Sequence, residues 1–121
     1  MEHVELFVQL PGIATLDDAA AVLGKALGIR NFEERESSNY IENRYFAAKK
    51  DQRQYELSYT DYEEADRFPF HIWIELEKKA PPGTALLTAM DAWVKSKLLA
   101  IGAKAALVVN YGRPDMQRID Y

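Results

Sequence analysis

The chain contains no cysteine and only two histidines, His3 and His71. Without cysteine there is no disulfide scaffold, no thiolate zinc site and no cysteine nucleophile, and a histidine metal site would need carboxylates to complete it. Long apolar runs are missing too: none approaches the ~20 residues that span a bilayer. The start, Met1-Glu2-His3, is acidic where a secretory leader is basic, and the apolar segment behind it breaks at Gln9 and Pro11-Gly12. We therefore expect a cytoplasmic protein that does not engage membranes. There is no Lys/Arg-rich run, the net charge is -4 and the pI about 5.2, so the chain has little with which to grip nucleic-acid phosphates. No G-x-x-x-x-G-K-[ST] loop, G-x-G-x-x-G turn or calcium-loop spacing occurs, and no G-x-S-x-G elbow accompanies His71. No cofactor and no metal is expected.

What is present suits one folded domain over 1–121. The chain is 48% hydrophobic and 12% aromatic, enough for a packed core, and no linker or repeat divides it. Val4, Leu6, Val8 and Leu10 alternate with polar residues and Phe7, which predicts a strand stopped by Pro11-Gly12. Thr15 reads as a helix N-cap with Asp17 and Asp18 in the first turn. Leu16, Ala19, Ala20, Leu23, Ala26 and Leu27 then recur at helical spacing, and Gly28 is the stop. Strands are expected near Phe32–Ser37, Tyr40–Lys49, Arg53–Thr60 and Phe68–Glu77. Pro81-Pro82-Gly83 leads into a second helix, Thr84–Ile101, whose buried stripe is Leu87, Met90, Val94, Leu98 and Ile101, widened by Leu86 and Trp93. Ala105–Tyr111 reads as an inner strand and Gly112–Tyr121 as a polar tail. The expected fold is α+β: a two-layer sandwich, mostly antiparallel, with two helices on one face, a ferredoxin-like variant with an enlarged meander.

Two surfaces stand out. Residues 33–66 hold ten acids against five bases, a net -5 that leaves +1 for the rest of the chain, and the charge peaks at Asp61-Tyr62-Glu63-Glu64-Ala65-Asp66. A negative field interleaved with tyrosines can steer onto a basic protein cleft, although charged loops also serve simply to keep sheets soluble. The second surface is the sheet face opposite the helices. If Ile72, Ile74 and Leu76 point inward, His71, Trp73, Glu75 and Glu77 point outward, and Phe7 joins them from the first strand. Phe7 and Trp73 are costly to leave in water, so either a partner, a ligand or the chain itself covers them, with Met116 and Ile119 available in the tail. Arg44 is placed to form an ion pair with Glu42 and Glu56.

The stretch SSNYIENRYFAAKKDQRQYELSYTDYEEADRFPFHIWIELEKK, residues 37–79, combines a tyrosine-rich meander, the acidic D-Y-E-E-A-D loop and the F-H-I-W-I-E-L-E strand. In style it resembles the small immunity proteins that accompany bacterial polymorphic or contact-dependent toxins. That resemblance implies a non-enzymatic protein that binds a cognate toxin domain, here of nuclease type, and occludes its active site. From charge and aromatic placement, the partner-facing residues are expected to be Tyr59, Asp61, Tyr62, Glu63, Glu64 and Asp66, with a further patch at Phe7, His71, Trp73 and Glu75. The alternatives are a small-molecule-binding or enzymatic domain with a cleft at Trp73, His71 and Glu75, and a homodimer paired through the open sheet face.

Overall fold

Alternation along β1 (His3–Gln9) turns Val4, Leu6 and Val8 to one side of a sheet and His3, Glu5 and Phe7 to the other. The computed structural model describes residues 3–61, 64–76 and 83–121, with backbone alone for 83–85. The rest of the order is α1 (Leu16–Leu27), β2 (Glu33–Glu36), β3 (Arg44–Lys50), β4 (Arg53–Tyr59), β5 (Phe70–Leu76), α2 (Gly83–Lys97), β6 (Lys104–Val109) and β7 (Gln117–Asp120). The protein is thus α+β, with seven strands in the order β2-β3-β4-β5-β1-β6-β7 and every neighbouring pair antiparallel.

The first helix forms as its sequence signals. Thr15 Oγ1 accepts from Asp18 N at 3.2 Å, and Gly28 ends the helix in the left-handed region at φ 70°. Its apolar stripe shares one core with Leu86, Met90 and Val94 of α2, with Leu98 just beyond that helix, and with alternate residues of β1, β3, β4, β5 and β6. That core is the principal source of stability, since each fully buried large aliphatic contributes about 1.5–3 kcal/mol by transfer from water.

Three expectations need correction. The polar tail forms a seventh strand, because β7 pairs along β6 and Tyr121 N continues the ladder to Ala105 O at 2.8 Å. The Tyr121 hydroxyl also donates to Asp91 on α2, and burial plus that carboxylate raises the phenol's pKa. The second helix stops at Lys97, and the tighter turn Leu99–Ile101 rotates Ile101 off the buried stripe, leaving it 37% exposed. The strand expected over Tyr40–Lys49 begins only at Arg44, after a 3-10 turn at Ile41–Asn43 in which Glu42 and Asn43 have positive φ. Met1, Glu2, Glu77, Pro81 and Pro82, on which some of these expectations fall, lie outside the described residues.

Candidate functional site

Strand alternation carries a second set of side chains to the face away from the helices, and the register decides which of them meet. Across β1 and β5, Glu5 lies opposite Trp73, Phe7 opposite His71 and His3 opposite Glu75. Across β4 and β5, Glu56 lies opposite Trp73 and Ser58 opposite His71. The result is one surface with two unlike halves.

On the β1-β6 half the protein covers itself. Phe7 is fully buried, packed with Phe68 from the loop before β5 and with Ala106, Val108 and Tyr111. The cover therefore comes from Phe68 and Tyr111, and Met116 stays 43% exposed. Glu64 in the same loop accepts two hydrogen bonds from the Arg118 guanidinium, which also binds Asp120. This clasp holds the loop against β7 and lowers the pKa of Asp120 through the Arg118 hydrogen bond.

On the β4-β5 half aromatic and acidic side chains remain half-exposed. The His3 ring stacks on Trp73 with centroids 3.7 Å apart and planes 9° from parallel. Tyr40 stacks on Tyr45 at 4.5 Å, and its hydroxyl donates to Glu56 Oε2 at 3.4 Å. Burial, then the Glu56 carboxylate, pushes the Tyr40 phenol up to about 12. Between these pairs lies a hollow of about 220 Å³, lined by Tyr40, Glu56, Ser58, Asp61, His71 and Trp73 among others. Among the described residues no lysine or arginine lines it, and neither Glu56 nor Asp61 has such an ion-pair partner.

Beneath the hollow is a buried ionisable pair. His71 Nε2 lies 3.0 Å from Glu5 Oε1, and both side chains are about one-tenth exposed or less. His3 Nε2 approaches the same carboxylate at 4.0 Å, but burial outweighs that attraction and lowers the His3 pKa. Ser58 stands across from His71, yet its hydroxyl has no hydrogen-bond partner among the described residues. The serine–imidazole contact that a serine nucleophile uses is therefore not formed. Among the described residues no group of three His, Asp or Glu side chains is placed to hold a metal ion.

The structure disperses the expected acidic site. Asp61 borders the hollow and Asp66 is exposed, whereas Glu64 is spent on Arg118; Tyr62 and Glu63 lie outside the described residues. The Tyr59 ring stacks on Phe70 toward the core, and its hydroxyl accepts from Leu16 N at 2.8 Å, completing the first turn of α1. Its hydroxyl is thus engaged in the fold, while the half-buried residue also borders the hollow. Of the second expected patch, Phe7 is buried and His71 nearly so, leaving Trp73 and Glu75 half-exposed. Arg44 pairs with Glu42 as expected but reaches Asp17 at 2.9 Å and Glu34 at 3.4 Å, and not Glu56. Tyr40, Glu56, Ser58 and Glu5 were not singled out by sequence as site residues. The alternation Tyr55-Glu56-Leu57-Ser58-Tyr59 does place Glu56 and Ser58 opposite the core, but only the β4-β5 register brings them to Trp73 and His71. Comparison with protein-family models, curated proteins and solved structures finds no match. No helix among the described residues is long and apolar enough to cross a membrane.

Proposed function

We propose that the chain is a non-catalytic binding module that docks on a basic protein surface through the β4-β5 half of its helix-free face. The observation that carries this reading is the hollow itself: stacked aromatic pairs flank Glu56 and Asp61, and neither carboxylate is neutralised by a lysine or arginine among the described residues. Rigid aromatics beside carboxylates favour a partner rich in arginine and lysine, and the surrounding negative field would speed encounter. In the form suggested by the resemblance to immunity proteins, the partner is a nuclease-type toxin domain, and occlusion of its phosphate-binding cleft blocks it. The two-layer, ferredoxin-like reading of the fold accompanies this proposal. It is supported by the antiparallel run β4-β5-β1-β6 and by the single core that both helices share.

The test pairs the chain with a basic, nuclease-type domain sought in a neighbouring reading frame or captured with the chain from its native cell. Affinity should fall steeply as salt rises and by about 100-fold in the triple variant Glu56→Gln, Asp61→Asn, Glu75→Gln, if each charge contributes about 1 kcal/mol. An affinity indifferent to both changes contradicts the reading. A small-molecule site is favoured by one observation, the buried Glu5–His71 pair bordering the hollow. A ligand-dependent change in tryptophan fluorescence that disappears in His71→Ala would carry that second reading instead.

A further inference from the structure

Resting on that docking reading, we infer that the hollow between Tyr40, Glu56, Ser58, Asp61 and Trp73 is a receptor for one guanidinium group, the tip of an arginine side chain of the partner. Size is the first argument. At about 220 Å³ the hollow is smaller than the roughly 300–1,000 Å³ of small-molecule sites, so it suits a side-chain end rather than a cofactor.

Chemistry is the second. Glu56 and Asp61 supply two carboxylates without a lysine or arginine partner among the described residues, which disfavours an anion and calls for a cation. The Tyr40 hydroxyl engages Glu56 Oε2 and leaves Oε1 for another donor. Ser58 is 3% exposed, borders the hollow, and carries a hydroxyl with no partner among the described residues, so a further hydrogen-bonding group is available there. Three acceptors spaced along β4 and the residues just after it match a planar fork with five N–H donors better than a compact ammonium with three.

Preorganisation is the third argument. Trp73 is held by the His3 ring and Tyr40 by Tyr45 and Glu56, so the walls are in place before the ligand arrives. The aromatic walls also exclude water from the alkyl stem, which strengthens the charge-assisted hydrogen bonds at its end.

The experiment titrates the full chain with N-acetyl-arginine amide and follows backbone amide and Trp73 indole signals by NMR. The expected result is saturable shifts at Ser58, Asp61, His71 and Trp73. Binding should be about tenfold weaker for the neutral isostere N-acetyl-citrulline amide, and about tenfold weaker again for arginine amide added to Glu56→Gln or Asp61→Asn. Equal binding of the citrulline and arginine compounds overturns the inference, as do shifts centred elsewhere or no saturable shift. The spectrum of each variant reports whether it remains folded. If a basic partner still binds Glu56→Gln as tightly as wild type but loses affinity with Glu75→Gln, the docking face stands and the arginine receptor falls.

Discussion

The two halves of the helix-free face share one sheet and one alternation, yet they end differently. Around β1 and β6 the outward residues include Phe7, Ala106 and Val108, and the chain folds Phe68 and Tyr111 over these three. Around β4 and β5 they are Glu56, Ser58, Trp73 and Glu75, and Trp73, Glu56 and Glu75 stay half-exposed. The difference follows from what each surface loses in contact with water. An apolar patch gains about 25 cal/mol for every Å² covered by its own loop, whereas burying carboxylates without a counter-charge is costly. Self-covering thus stops where covering would cease to be favourable, and the remainder is a surface suited to a charged partner.

Substitutions on either side of the sheet face separate the two behaviours. The largest effect should come from Phe68→Ala, which removes the lid from Phe7: urea unfolding should show a loss of about 3–5 kcal/mol. Glu64→Gln cuts the clasp to Arg118 and should cost about 1–2 kcal/mol in the same assay while leaving the β4-β5 half intact. Tyr59→Phe deletes the acceptor for Leu16 N and should cost about 1 kcal/mol, with faster amide exchange in the first turn of α1. At the other extreme, Glu75→Gln should change stability by no more than about 0.5 kcal/mol, its effect appearing only in partner binding.

Acid should act on both halves through different groups. The His3 pKa is lowered by burial, so the unfolded chain takes up its proton first as pH falls; this contribution is full above 6.5 and declines below it. Replacing His3 with Gln should flatten stability across that window, and an NMR titration should place the imidazole below 6.5. Asp120, lowered by Arg118, stabilises at neutral pH and loses its contribution as pH falls through the carboxylate range.

Much of the architecture was legible because local signals agreed with the fold. Thr15, Asp17, Asp18 and Gly28 bracket α1, and the alternation in β1 and β5 marks their inner faces. β7 was not legible: Gln117–Asp120 is four residues with one aliphatic, and its place depends on Glu64 binding Arg118 and Asp91 binding Tyr121. Ile101 was misplaced because a helix period cannot foresee a 3-10 turn. Site residues were legible only as faces. That Trp73 and Glu75 point away from the core follows from periodicity, but Glu5 meets His71 across 66 positions and Tyr40 meets Glu56 through a turn with positive φ. The acidic run shows the same limit, since neighbours in sequence divide between the hollow at Asp61 and the clasp at Glu64.

The proposed docking face is tested most directly by an amide-exchange footprint of the chain mixed with a basic protein domain that binds it. The expected result is slowed exchange confined to β4, β5 and residues 39–45, with no change around Phe7, Phe68 and Tyr111. Protection centred on α1, α2 or β7 would contradict it.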